Sequence, residues 1–79
     1  MKICLKLYGT LPNYYQGPYQ STGIAIILDH GATVEELADI TGIPKKRIGL
    51  VSINNRIAKS FDIIPDGAEV KFMPLIASG

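Results

Sequence analysis

Cysteine occurs once in this chain of 79 residues, histidine once and tryptophan not at all. A single cysteine excludes an internal disulfide framework, a cysteine-built zinc site and an iron–sulfur cluster held within the chain. His30 sits before a helical pattern with no second ligand close in sequence, so it reads as a solvated loop histidine, and no metal is expected. Charge of one sign is missing too: 8 Lys and Arg face 7 Asp and Glu, a formal net charge of +1. With no basic stripe and no aromatic–basic interleaving, nucleic acid is not an expected partner. Long apolar runs are also absent. The longest, residues 24–28, is far below the roughly 20 residues that cross a bilayer. Lys6 interrupts the N-terminal stretch where a signal peptide needs an unbroken apolar run. No membrane partner or targeting segment is expected, and the cytoplasm is the default location. No nucleophile–base pairing is visible, so the chain is not expected to be an enzyme in its own right.

What is present suits one small domain spanning residues 1–79, with a flexible C-terminal tail at 76–79. A chain of this size buries only about 60% of the surface exposed when unfolded, so its core is thin. The apolar content of 47% is sufficient for it. Residues 2–8 alternate, with Ile3, Leu5 and Leu7 on one side and Lys2, Cys4, Lys6 and Tyr8 on the other, the period of a half-buried strand. Gly9, Pro12, Asn13, Gly17 and Pro18 break the pattern, and the isoleucine-rich residues 22–29 read as a second strand, antiparallel to the first across an enlarged hairpin loop. Thr33-Val34-Glu35-Glu36 is a capping box. Val34, Leu37, Ala38 and either Ile40 or Thr41 follow at helical spacing. Gly42 and Pro44 then stop the helix.

Residues 48–53 read as a third strand whose near-continuous apolar character suits a central, two-sided position. Asn54-Asn55 mark a tight turn into residues 56–61. Asp66-Gly67 turn the chain into a last strand from residue 68 to about 75, with Val70 and Phe72 inward and Lys71 and Met73 outward. The order strand, strand, helix, strand, short strand, strand predicts an α+β domain of the ubiquitin-like β-grasp kind. Its mixed sheet has four to five strands, one main helix packs on one face, and the first and last strands pair in parallel.

The last strand runs into the small-residue tail Ile76-Ala77-Ser78-Gly79. The segments "GATVEELADITGIP", "IGLVSINNRI" and "IPDGAEVKFMPLIASG" resemble, in order, three stretches of the MoaD/ThiS family of β-grasp sulfur carriers. Asp66-Gly67, Phe72 and Pro74 look more like its molybdopterin synthase small-subunit branch. The resemblance implies specific chemistry for Gly79. A ubiquitin-activating-type adenylyltransferase would use ATP to adenylate its carboxylate. Sulfur would then replace one oxygen to give a thiocarboxylate, consumed by a sulfur-accepting synthase subunit in molybdenum or tungsten cofactor assembly. The carrier needs no cofactor of its own. Ala77 and Ser78 would form the linker, and Phe72, Met73, Pro74 and Leu75 the docking surface. Among these, Phe72 also reads as core. The family normally ends in two glycines, whereas this chain has Ser78-Gly79. That departure keeps a non-carrier interaction module in view, alongside a thiamine-pathway carrier and a ubiquitin-like modifier joined to lysines through Gly79.

Other candidates are weaker. Cys4 lies between Lys2 and Lys6, which would favour a thiolate, yet it reads as a semi-exposed, inert cysteine. Lys45-Lys46-Arg47 read as a solvated connector behind a helix C-terminus, where positive charge is favourable. Tyr14, Tyr15 and Tyr19 suit equally a partner surface or a flap folded back on the core.

Overall fold

The alternation at the N-terminus produces β1, Lys2–Leu7, whose Ile3, Leu5 and Leu7 are buried. In the computed structural model, which describes residues 1–75, β1 is followed by a short 3-10 helix, Leu11–Tyr14, and by β2, Ile24–Ile27. β1 and β2 are antiparallel, with Leu5 opposite Ile24 and Lys2 opposite Ile27. The second strand is therefore shorter than the pattern in 22–29 suggests. Before it, the chain is turned, with Gly23 N–H donating to Gln20 O at 2.8 Å.

Helix α1, Val34–Thr41, starts on the anticipated box: Thr33 Oγ1 accepts from the Glu36 amide at 3.2 Å, and Glu36 Oε1 accepts from the Thr33 amide at 3.4 Å. Two further amides of its first turn would lack intrahelical acceptors. They are met from a later segment of the chain, residues 60–62: Val34 N–H donates to Asp62 O at 3.1 Å and Glu35 N–H to Ser60 O at 2.9 Å. Val34, Leu37, Ala38 and Thr41 face inward, while Ile40 is exposed. Thr41 takes the inner position because its hydroxyl donates to Ala38 O at 2.9 Å, leaving no unmatched polar group. Gly42 ends the helix in the left-handed conformation.

A second 3-10 turn, Lys45–Arg47, leads into β3, Ile48–Ile53; β4, Arg56–Ala58, and β5, Glu69–Pro74, complete the sheet. Asn54 and Asn55 both hold positive φ, as the tight β3–β4 hairpin requires. The strand order is β2-β1-β5-β3-β4, with β1 and β5 parallel and the other pairings antiparallel. The centre of the sheet is thus β5, not β3. The apolar run at β3 has a different cause: the helix covers one face only, and Leu50 is left partly exposed on the other. β4 is three residues long, shorter than the apolar and polar residues at 56–61 suggest, because the chain turns back there to cap α1.

Phe72, Leu5, Leu11, Leu37, Ile64 and Val70 are the largest fully buried side chains, and all belong to one core between α1 and the sheet. A domain of this size holds only about 4–12 kcal/mol in total, at roughly 0.05–0.15 kcal/mol per residue. Truncating Phe72 to alanine is expected to cost about 3–5 kcal/mol, a large share of that. Leu75→Ala should stay within about 0.5 kcal/mol. Urea denaturation of the two variants checks the contrast, and similar losses would place Phe72 outside the core.

Candidate functional site

β5 is hydrogen-bonded on both edges, to β1 from Cys4–Glu69 to Leu7–Phe72 and to β3 from Ile53–Val70 to Ile48–Pro74. Strand alternation points Val70 and Phe72 into the core and Glu69, Lys71 and Met73 to the uncovered face. Phe72 has 0% of its surface accessible, so it cannot contact a partner. Its role is to anchor the strand from which the chain departs. Of its two readings from sequence, core and docking surface, burial agrees with the core and removes Phe72 from the docking surface. Met73 and Pro74 are half-buried, and Leu75 is 64% exposed. Ala77, Ser78 and Gly79 lie outside the described residues.

The chain leaves the sheet through a frame made by two loops. Tyr8 N–H donates to Phe72 O at 3.1 Å, continuing the parallel ladder. The next donor in that ladder would be residue 74. Proline has no N–H, and Tyr8 O instead accepts from Leu11 at 3.2 Å, starting the 3-10 turn. On the other side, Leu75 N–H donates to Arg47 O at 3.0 Å. The Arg47 guanidinium stands 5.9 Å from the centroid of the Tyr14 ring, so the two loops meet beside the exit.

Around the exit the uncovered face is apolar. Met73 pairs with Leu50 in register, and Tyr8 follows Leu7 on the neighbouring strand. Tyr8 and Leu50 are partly exposed, and Ile57, opposite Ser52, is 75% exposed. Tyr8 lies on the outer side that the alternation in 2–8 gives it, whereas exposure of Leu50 and Ile57 does not follow from their sequence pattern. For Leu50 the signal is the apolar run of 48–53, which by itself reads as burial on two faces.

Toward the start of β5 the same face becomes charged. Glu69 lies 3.2 Å from Lys6 Nζ and 3.6 Å from Lys71 Nζ, and Lys71 also donates to Asn55 Oδ1 at 2.9 Å. Lys6 above all, and Lys71 after it, hold the Glu69 carboxyl below its ordinary value, while Glu69 raises the Lys6 ammonium. The carboxylate separates two lysines that would otherwise repel across adjacent positions.

The remaining candidates are structural in placement. Tyr14, Tyr15 and Tyr19 pack against the core. The Tyr19 hydroxyl accepts from Leu7 N–H at 2.7 Å and donates to Leu7 O at 2.9 Å, completing β1 beyond the end of β2. Lys45 is tied to α1 by Glu35 at 2.8 Å and Asp39 at 3.2 Å, with Glu35 the larger cause of its raised ammonium value. Cys4 is half-buried, its Sγ 3.8 Å from Thr22 O. His30 is exposed. Among the described residues, no group of three or more His, Cys, Asp or Glu is placed to hold a metal ion, and no helix is long and apolar enough to cross a membrane.

This topology is the ubiquitin-like β-grasp. Among solved structures, the chain is similar to SAMP1 from Haloferax volcanii, with a TM-score of 0.70, 19% identity and 100% of each chain covered. A second structure, H. volcanii small archaeal modifier protein 1, gives a TM-score of 0.71 at 19% identity, covering 95% of this chain and 98% of that one. At this identity the likeness is one of fold. No protein-family model and no curated protein matches the chain.

The Glu69 cluster yields a signed pH dependence. A carboxyl whose folded value is depressed stabilises the fold above its unfolded value and loses that contribution as pH falls through the folded value. Glu69→Gln is therefore expected to lower the urea midpoint near neutral pH, with the gap from wild type closing in strong acid. A gap independent of pH would show that the carboxylate charge contributes nothing.

Proposed function

We propose that this chain is a sulfur carrier whose Gly79 carboxylate is the reacting group, serving molybdenum or tungsten cofactor (molybdopterin) assembly. The observation that carries the reading is the placement of β5. It is the central strand, anchored by buried Val70 and Phe72, and it delivers the chain to an exposed Leu75 at the edge of an apolar face. The three segments that resemble the MoaD/ThiS family, and the Asp66-Gly67 turn before β5, favour the molybdopterin branch.

The chemistry follows from the weakness of a carboxylate as an electrophile. An adenylyltransferase of the ubiquitin-activating type joins the Gly79 carboxylate to the α-phosphate of ATP, releasing pyrophosphate. A sulfur nucleophile then attacks the acyl carbon and expels AMP. When that nucleophile is hydrosulfide, its proton is lost and the product is a thiocarboxylate, whose sulfur passes to a synthase subunit as water restores the carboxylate. The mixed anhydride must be shielded from water, so the reaction belongs in the partner's closed site. A narrow tail of Ala77, Ser78 and Gly79 suits entry there, with glycine at the reacting position the least bulky choice. The domain supplies binding rather than catalysis. Met73, Pro74 and Leu75, with Tyr8 and Leu50 beside them, form the surface that docks, while Phe72 supports it from within. The setting is the cytoplasm.

A second reading has one observation in its favour: a similar solved structure bears the name small archaeal modifier protein. A modifier shares the adenylation step and ends instead in an isopeptide bond to a lysine. Isolation of the chain linked through Gly79 to lysine side chains, without sulfur transfer, would favour it.

The test of the carrier reading is ATP–pyrophosphate exchange by the activating enzyme in the presence of the chain. Wild type is expected to stimulate exchange, and deletion of Ser78-Gly79 to abolish it with the thermal unfolding curve unchanged. Equal exchange with and without those two residues would reject Gly79 as the reacting group.

A further inference from the structure

Two glycines lie against the chain where it leaves the sheet. A Cβ built on Gly9 would stand 2.6 Å from Pro74 Cγ, inside the contact distance of real side chains. A Cβ on Gly49 would stand 2.7 Å from Leu75 Cα, 2.8 Å from Pro74 O and 3.0 Å from Leu75 N. The groups in the way are a proline ring and main-chain atoms, neither of which can rotate aside. The two glycines come from different parts of the chain, one from the turn after β1 and one from β3.

Gly49 is also the extra residue of a β-bulge: Ile48 pairs with Pro74 and Leu50 with Met73, leaving Gly49 without a counterpart on β5. A glycine in a strand interior commonly marks a bulge or a close backbone approach, and here it marks both. Gly9 holds φ at +60°, so it meets a conformational demand as well as a steric one. Gly49 has no positive φ, so its requirement is for space alone.

We propose that Gly9 and Gly49 form a collar around Pro74 that sets the direction in which the chain leaves the sheet. This makes them positioning residues for the delivery of the terminal carboxylate. The proposal rests on the carrier reading for its purpose, though not for its geometry. The bulge turns β3 so that Arg47 O meets Leu75 N–H, the collar closes on the proline ring, and the course of the chain is set through Leu75. A change of direction at Leu75 is carried into the residues that follow it. Displacement of a reacting group by about 1 Å can cost on the order of a hundredfold in rate.

The test uses Gly49→Ala. The added methyl displaces Pro74 and Leu75, so kcat for adenylation should fall by roughly tenfold to a hundredfold. Inserting one glycine after Leu75 in the same variant should restore much of the loss by letting the tail re-aim. Val51→Ala, a core change on the same strand, serves as the stability-matched control. Independently of any enzyme, the Leu75 amide should exchange its hydrogen faster in Gly49→Ala, while amides at the start of β5 hold. Should Gly49→Ala fail to fold, Pro74→Ala opens the collar from inside without crowding, and it should speed Leu75 exchange in the same way. Losses in Gly49→Ala that match Val51→Ala, no rescue by the insertion, or an unchanged Leu75 amide would overturn the collar. If wild type is never adenylated, the carrier reading fails, and the exchange measurement alone decides the geometry.

Discussion

The structure depends on one strand being held from three sides. β5 shares a parallel ladder with β1 and an antiparallel one with β3, and its inward residues Val70 and Phe72 have no solvent contact. In a domain with a thin core, that arrangement makes the segment nearest the C-terminus among the most deeply buried parts of the fold. Terminal segments fray unless tied down, and this one is tied by its own sheet. The remaining elements serve the same end. The helix covers the face that Phe72 and Val70 need covered, and the 59–64 segment returns to supply the helix's first turn with acceptors.

Much of this was legible in the residues because local chemistry and the global fold agree. Alternation in 2–8, the Thr33–Glu36 box, the Asn54-Asn55 turn and the parallel pairing of first and last strands were all recoverable from spacing and residue type. The failures share one physical origin. An apolar run carries no information about which face is covered, so β3 reads as central although β5 holds that place and Leu50 lines an open surface. Phe72 carries two readings in the sequence, core from the period of the strand and contact from its nearness to the tail, and its burial agrees with the first. The tyrosines were undecidable from sequence because their role is tertiary. Tyr19 substitutes a hydroxyl for a missing strand partner, a relation that spans 12 residues. The narrowing at Pro74 is likewise invisible in the sequence, since it brings together Gly9, Gly49 and Pro74 from three separate segments.

The two faces of the sheet divide the work. One packs on the helix and stabilises; the other runs from the Glu69–Lys6–Lys71 cluster at one end to the apolar surface of Tyr8, Leu50 and Met73 at the other. Charged groups there are partly solvated and so favour orientation over affinity. Desolvation of the apolar end offers the larger gain on docking. A partner that reads this face meets the exit of the chain at its apolar margin, which places binding and delivery side by side.

The central claim is that the fold exists to present a carboxyl group for sulfur loading. Intact-mass spectrometry after incubation with the activating enzyme, ATP and a sulfur donor tests it most directly. The account predicts a mass gain equal to one oxygen-to-sulfur exchange, confined to the C-terminal fragment that contains Gly79. An unchanged mass, with the same enzyme loading another carrier, would contradict it.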